Sequence, residues 1–420
     1  MNRVFKNAHV LCPATDRDEL TNVHVTDGCI THFGGEEVAG ADVVECSGHY
    51  LLPGLVDLDA QLGAPGLNDR ETLSSGGSAA AAGGFSTVLV NPNTRPVLDD
   101  AALVRELIER APNETDVEIL VAGALTQGLK GGELAEMGLM ARAGASAFSN
   151  AGVQISNSST LRYAMLYARP FGLPIMMRAG DDFLEERGSM NEGDVSTAIG
   201  LRGLPPAAEE IGVGRLIALA RDTGTGIHIT GVTTETSVEQ IKRAKAEGVA
   251  VTASTSAHHL LLTDDAVRDS VYSTSTRLLP PLRKEADREA LRQGVRDGTI
   301  DAVASHHNPW TRADKEVEFE LAVPGATGLQ SAFSETVESL DGDLSSAINA
   351  MSIRPGALLG REQGLKEGSK ADFFLWNPEE EWKLSKECLR SKCANSPVLG
   401  RAFRGRVTGT FRSGRKLGNS

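Results

Sequence analysis

The chain has 420 residues with 40% hydrophobic side chains, 5% aromatic side chains and a formal net charge of −14. The length suits an α/β domain of roughly 250 residues or more together with a smaller module, and the acidic balance disfavours nucleic acid and anionic membranes as partners. The five cysteines are scattered without CxxC spacing, which predicts neither a disulfide framework nor a zinc knuckle and favours a reducing cytoplasm. No apolar run reaches the roughly 18 residues of a membrane span, and we expect neither a membrane segment nor a secretion signal.

The first 50 residues predict a small β module. Asp27-Gly28 lies between two runs of alternating residues, NVHVT and CITHF, as a hairpin turn should. A similar β pattern returns near the end of the chain, in ADFFLWNP and GRVTGTFRSGRKL. We predict that residues 1–50 and 364–420 pair as the two halves of one β-sandwich.

The segment between these ends, residues 51–363, alternates strand-like and helix-like patterns, as a (β/α)8 barrel requires. The first strand is the apolar run that leads into LVDLDAQLGAPG, which suits a strand covered by helices on its outer face. The eight predicted strands lie within residues 51–66, 85–96, 117–125, 145–152, 173–181, 226–234, 249–260 and 300–310. Because the chemistry of such barrels lies at the carboxyl ends of the strands, the residues that follow each strand are the candidate site.

Many long segments, in the same order, resemble those of the dihydroorotases, which are cyclic amidohydrolases of the amidohydrolase superfamily. They include LLPGLVDLDAQLGAPG, MNEGDVSTAIGLRGLPPAAEE, PPLRKEADREAL and KEVEFELAVPGATGLQSAF. The resemblance covers essentially the whole chain. It implies a TIM-like barrel of the amidohydrolase type with a β-sandwich built by both chain ends, and the hydrolysis of dihydroorotate to carbamoyl aspartate in pyrimidine biosynthesis.

The resemblance also implies two zinc ions per site. Their ligands would be His-x-His after the first strand, an Asp after the fourth, a His after the fifth, a His after the sixth and an Asp after the eighth, which also acts as the general base. The matching positions in this sequence hold different residues, namely Asp59, Gln61, Asn150, Arg178, Gly231 and His306.

These departures change the chemistry of the site. Gly231 has no donor atom, Asn150 and Gln61 are neutral and weak ligands, and Arg178 carries a permanent positive charge. Two dications and a guanidinium repel one another strongly in a small pocket. We therefore predict a site without metal or other cofactor, in which Arg178 pairs with Asp59 or with a bound anion. The alternative for Arg178 is a surface arginine that turns outward.

The set of residues that binds the substrate in the family is also incomplete here. In the family, an Arg after the His-x-His motif and an Asn on the second loop clamp the substrate carboxylate. Here Gly63 replaces the Arg, whereas Asn93 is kept. A further Asn becomes Leu279, and a His after the eighth strand becomes Trp310. Asn93 alone is a weak anion site, and an Asn that caps a turn explains it equally well.

The other histidines predict little metal chemistry. His306 and His307 are adjacent on a strand, so only one can face the barrel mouth. We expect His228, His258 and His259 to be hydrogen-bonded side chains of the core or of loops.

Three functions remain open. The leading hypothesis is an inactive dihydroorotase-like chain, a structural or regulatory subunit with aspartate carbamoyltransferase, the partner that the resemblance implies, in a homo-oligomer or hetero-oligomer. The alternative is an active cyclic amidohydrolase with an atypical or mononuclear metal site of His306, Asp59 and Gln61, from which Arg178 would have to swing away. The third is a small-molecule sensor in which Arg178 and Asn93 hold an anionic metabolite.

Overall fold

The computed structural model describes residues 2–36, 40–186 and 188–418. Within these ranges the strands are β1 (Asn2–Cys12), β2 (Arg17–Thr26), β3 (Cys29–Phe33), β4 (Asp42–Glu45), β5 (Tyr50–Pro53), β6 (Leu55–Ala60), β7 (Phe85–Val90), β8 (Glu118–Ala124), β9 (Ala147–Ser149), β10 (Ile175–Arg178), β11 (Met190–Asn191), β12 (Gly203–Leu204), β13 (Ile227–Thr230), β14 (Val251–Ser256), β15 (Ala302–Ala304), β16 (Phe373–Lys383), β17 (Ala402–Arg412) and β18 (Arg415–Lys416).

The helices lie mainly between the strands of residues 55–304. They are α1 (Leu73–Ala82), α2 (Ala101–Arg110), α3 (Met137–Ala143), α4 (Ser158–Ala168), α5 (Asp182–Glu185), α6 (Asp194–Ile199), α7 (Ala207–Thr223), α8 (Glu235–Ala246), α9 (Ala257–Leu261), α10 (Asp265–Asp269), α11 (Glu285–Asp297), α12 (Arg312–Lys315), α13 (Ala332–Ser339), α14 (Leu344–Ile348) and α15 (Arg354–Leu358). In the described part of the chain, no helix has both the length and the apolar character that a membrane crossing requires.

Eight parallel strands, β6 to β10 and β13 to β15, form a barrel in chain order. Each lies within one of the eight segments predicted from the sequence. The ring closes just after β15, where Ser305 N donates to the Asp57 carboxylate of β6 at 2.8 Å and Gln61 N donates to His307 O at 2.8 Å. Asp57 is completely buried at this seam, and burial raises the pKa of its carboxyl to about 6 against the hydrogen bonds from Ser305. The predicted (β/α)8 barrel is confirmed.

The carboxyl ends of the barrel strands meet at one edge, which we call the barrel mouth. All six residues of β7 are buried, since one face of a barrel strand packs inside and the other lies under helices. Helix α7 lies very close to the chain that follows β10. A Cβ on Gly212 of this helix would lie 2.3 Å from Gly180 N, so only glycine permits this approach.

The two chain ends join in a second sheet, with the strand order β18-β17-β16-β5-β1-β2-β3 and β4 beside β1. Strand β16 from the C-terminal end pairs with β5 from the N-terminal end in antiparallel register. The Phe5 ring packs edge-on against Phe373 and Phe411, with ring centroids 4.7 and 4.9 Å away. The predicted pairing of the two ends is confirmed, as is the hairpin turn at Asp27-Gly28, since β2 and β3 pair across it.

Candidate functional site at the barrel mouth

The barrel brings all six predicted site positions to the mouth, because each lies at or just after the carboxyl end of a barrel strand. Two of them, Asp59 and His306, face each other at 3.7 Å, whereas Arg178 and Asn150 bond to other residues of the protein. Within residues 2–36, 40–186 and 188–418, no group of three or more His, Cys, Asp or Glu side chains could hold a metal ion. The donor set therefore does not fit the pair of zinc ions that the resemblance implies.

Arg178, at the end of β10, forms a buried ion pair with Glu185 at the end of α5. Its Nη1 and Nη2 atoms donate to the two carboxylate oxygens of Glu185 at 2.7 and 2.6 Å, and its Nε donates to Gly152 O at 3.2 Å. The two side chains are 7% and 12% exposed. All three guanidinium nitrogens are thus engaged inside the protein, in the two-pronged geometry that arginine and carboxylates favour.

This pairing corrects two expectations about Arg178. It neither pairs with Asp59 nor turns outward as a surface arginine, because a carboxylate seven residues further on returns to meet it. That return depends on α5, a four-residue helix capped by Asp181, whose carboxylate accepts from the backbone N–H groups of Phe183 and Leu184 at 3.1 Å each. Glu185 was not among the predicted site residues, and its sequence signal is the Asp181 cap that begins this helix.

Asp59 faces His306 instead. The Asp59 carboxylate accepts a hydrogen bond from Asn91, and its other oxygen lies 3.7 Å from His306 Nε2. Burial lowers the pKa of His306 more than the Asp59 carboxylate raises it, and the charges of His258 and Arg178 add to the decrease. The His306 imidazole is therefore neutral near pH 7.

His307 points away from His306 and belongs to the scaffold. Its Nδ1 atom accepts from Gly328 N at 3.2 Å, so its Nε2 carries the proton and donates to Glu71 at 3.2 Å. Burial alone would raise the pKa of Glu71, but hydrogen bonds from His307, Ser391 and Ser75 lower it. As expected, only one histidine of the pair faces the mouth.

Asn150 and Gly231 are unsuited to hold a ligand for different reasons. Asn150 is completely buried; its Oδ1 accepts from Thr126 at 2.8 Å and its Nδ2 donates to Val153 O at 3.0 Å. Gly231 has a φ of +65°, and a Cβ there would lie 3.2 Å from Pro280 Cδ. A histidine at position 231 would be strained.

The part of the mouth beside Asn93 is narrow. The cavity that Gln61, Gly63 and Asn93 line has a volume of about 10 Å³, which is room for about one water molecule. The Arg70 guanidinium stacks on the Trp310 ring, 3.5 Å from its centroid, and Trp310 stands where the resemblance implies a histidine.

Arg178 and Asn93 do not form the single anion site of the sensor hypothesis. Arg178 lines a different cavity from Asn93, and Glu185 already neutralises its charge. The sensor hypothesis was wrong in its residues, because cavity boundaries and ion-pair partners are set by tertiary contacts rather than by strand ends.

His228, His258 and His259 are hydrogen-bonded core residues, as expected. His228 contacts the hydroxyl groups of Thr252 and Ser254 at 2.9 and 3.0 Å, and His258 pairs with Glu335 at 2.7 Å. Burial lowers the pKa values of His228 and His259 to about 3, so both stay neutral.

The buried ion pair predicts an asymmetric response to mutation. We expect Glu185→Gln to lower the free energy of unfolding by about 3 kcal/mol, because it leaves the Arg178 charge buried without a counterion. Arg178→Met in the same chain should recover most of this loss. Urea unfolding followed by circular dichroism measures both changes.

The matched control is Asp222→Asn. It breaks the ion pair between Arg162 and Asp222, which are 42% and 51% exposed, and should cost less than about 1 kcal/mol. Equal small losses for Glu185→Gln and Asp222→Asn would contradict the buried pair.

Known proteins share both the sequence and the fold. A family model described as dihydro-orotase-like matches residues 48–237. The chain is 39% identical to the dihydroorotase of Citrifermentans bemidjiense over 420 residues, which covers 99% of each chain. It is 40% identical to that of Caldanaerobacter subterraneus subsp. tengcongensis over 419 residues, which covers 99% of this chain and 96% of that one.

Solved structures share the architecture at lower identity. The L-hydantoinase (dihydropyrimidinase) of Arthrobacter aurescens superposes with a TM-score of 0.88 at 21% identity, and the dihydropyrimidinase of Brevibacillus agri NCHU1002 with 0.85 at 19%. Each comparison covers 99% of this chain and 95% of the other. These two similarities support the fold alone, whereas the similarity to the dihydroorotases extends through the full sequence. The chain therefore belongs to the dihydroorotase family of cyclic amidohydrolases.

Proposed function

We propose that this chain is a catalytically inactive dihydroorotase-like protein of pyrimidine biosynthesis. It acts as a structural or regulatory subunit with aspartate carbamoyltransferase, in the cytoplasm and as part of an oligomer. The observation that carries the proposal is the buried ion pair between Arg178 and Glu185. It lies where the resemblance implies a histidine ligand, and a protonated guanidinium has no lone pair to offer a cation.

The chemistry of cyclic amide hydrolysis supports inactivity. In such reactions a metal ion polarises the carbonyl and lowers the pKa of the attacking water. The residues at the mouth supply neither a metal-binding set nor a replacement for both roles. A neutral His306 could accept a proton from water, but general-base assistance alone accounts for only a small part of enzymatic rate enhancement.

The loop that carries Gly63 supports the same conclusion. The cavity beside Asn93 has a volume of about 10 Å³, which is room for about one water molecule. Rebuilding the family's arginine at Gly63 would also disturb the loop, since a Cβ on Gly63 would lie 2.1 Å from Glu71 O. Binding in the family's manner therefore requires a rearranged loop.

A role in assembly fits the parts of the chain that are kept. The identity to dihydroorotases extends over 99% of this chain, although the positions that match the zinc ligands hold other residues. The Glu71 carboxylate joins the barrel to the C-terminal segment, since it accepts from His307 of the barrel, from Ser391 and from Lys392 N. These contacts stabilise the fold whether or not the chain is catalytically active. The partner itself comes from the resemblance.

One observation favours the alternative of an active hydrolase. Asp59 and His306 face each other across the mouth at 3.7 Å, and both are partly accessible. An atypical site would have to use this pair.

Turnover of dihydroorotate separates these functions. We expect the purified chain to hydrolyse dihydroorotate at the background rate with or without added zinc, because the described residues at the mouth offer no metal-binding set that could activate water. The measurement is the ultraviolet absorbance change of the substrate, with His306→Ala as the matched control. Zinc-dependent turnover that His306→Ala abolishes would contradict inactivity and support the active hydrolase.

Assembly needs its own experiment. We expect this chain to elute as one complex with the aspartate carbamoyltransferase of the same organism after coexpression, with a mass equal to an integral combination of both chains. Size-exclusion chromatography with light scattering measures this mass, and each chain expressed alone is the control. Two separately eluting proteins would contradict the partnership.

A further inference from the structure

A larger cavity opens at the barrel mouth beside Arg178 and Leu279, apart from the narrow cavity beside Asn93. It has a volume of about 360 Å³, which lies within the range of small-molecule sites. Its apolar wall consists of Leu278, Leu279, Pro281 and Pro324. Its polar wall includes Arg178, which Glu185 neutralises, and two side chains with unused hydrogen-bonding groups.

The first of these is Arg277, just before the apolar wall. Its guanidinium makes no hydrogen bond or ion pair with any described residue, and its Nε and Nη1 atoms are buried without a partner. The Phe319 ring lies under it, 5.9 Å from the centroid. Burial lowers the pKa of Arg277 although Glu320 partly opposes the decrease. Buried donors without a partner are rare in folded proteins, and an unrecorded ligand or ion is one explanation for them.

Arg277 has a like charge close by, that of Lys315, and the Glu320 carboxylate acts on it without forming an ion pair. Lys315 is 7% exposed, and its Nζ donates to the carbonyl oxygens of Thr274 and Val323 at 3.0 and 2.8 Å. Burial lowers the pKa of Lys315 to about 7, and the Arg277 charge adds to this decrease. An anionic group beside Arg277 would therefore relieve repulsion as well as supply hydrogen-bond acceptors.

The second side chain is Gln154, which is 6% exposed. Its Nε2 donates to Arg178 O at 3.0 Å, whereas its Oε1 is buried without a partner. The exposed acidic side chains of Asp182 and Glu186 also line this cavity. They disfavour a multiply charged anion and favour a ligand that carries a cationic nitrogen.

We propose that this cavity binds a zwitterionic amino acid with an apolar side chain. The carboxylate pairs with the Arg277 guanidinium, the ammonium group donates to Gln154 Oε1 within the field of the acidic rim, and the side chain packs on the Leu278, Leu279 and Pro281 wall. Binding needs neither turnover nor a transferase partner. The proposal therefore stands or falls independently of the proposed function.

Binding is measured by thermal shift and calorimetry on the full chain, with each proteinogenic amino acid supplied singly at about 10 mM. We expect at least one apolar amino acid, with L-leucine as the first probe, to raise Tm saturably. Two matched compounds test the zwitterion: 4-methylpentanoate lacks the ammonium group, and 3-methylbutylamine lacks the carboxylate. Each should bind at least about tenfold more weakly than L-leucine or the amino acid that replaces it.

Two variants test the residues. Arg277→Gln should abolish the shift while leaving the ligand-free Tm unchanged or higher, since it removes an uncompensated buried charge. Gln154→Met should bring the affinity for the amino acid down to that for its deaminated analogue, a ratio that does not depend on the variant's own stability. Arg169→Gln is the matched control, because Arg169 lines a different cavity of about 510 Å³.

The proposal is overturned if no amino acid raises Tm, if the deaminated acid binds as tightly as the amino acid, or if Arg277→Gln binds like the unchanged chain. An effect of Arg169→Gln equal to that of Arg277→Gln would also overturn it, since binding would then lie elsewhere.

Discussion

The charge of Arg178 is the constraint around which the barrel mouth is arranged. A guanidinium that is 7% exposed needs a counterion and a full set of hydrogen bonds. Without them, the free energy of unfolding falls by more than most single contacts contribute. The chain meets this requirement with its own Glu185 and with the Gly152 carbonyl. A fixed positive charge at the end of the fifth barrel strand, paired with the Glu185 carboxylate, repels dications at the mouth.

The rest of the mouth agrees with that constraint. Asn150 uses its side-chain oxygen and nitrogen within the protein, Gly231 lies in a left-handed backbone conformation, and Arg70 covers Trp310 beside a cavity with room for one water. None of these features weakens the barrel, whose seam at Asp57 and Ser305 remains fully hydrogen-bonded. The frame and the site have thus diverged separately, as they can when folding energy comes from core packing and the site lies on loops.

Most of the fold could be predicted from the sequence, because each barrel strand is a short apolar run ended by turn residues and the two chain ends repeat a β pattern. The ends of these apolar runs also predicted which residues lie at the carboxyl ends of the barrel strands. The partner of Arg178 could not be predicted in the same way, since Glu185 returns to it through a short helix whose direction depends on tertiary packing. That Arg277 lacks a hydrogen-bond partner could not be predicted from the sequence either, because it depends on the positions of all its neighbours in the fold. Cavity volumes, which separate Asn93 from Arg178, have no sequence signal at all.

Anomalous X-ray diffraction at the zinc edge, from crystals soaked in a zinc salt, tests the central claim most directly. Our account predicts no anomalous peak at the mouth and continuous density for the guanidinium of Arg178 against the carboxylate of Glu185. Two strong peaks among Asp59, Gln61 and His306, with the arginine displaced, would contradict it.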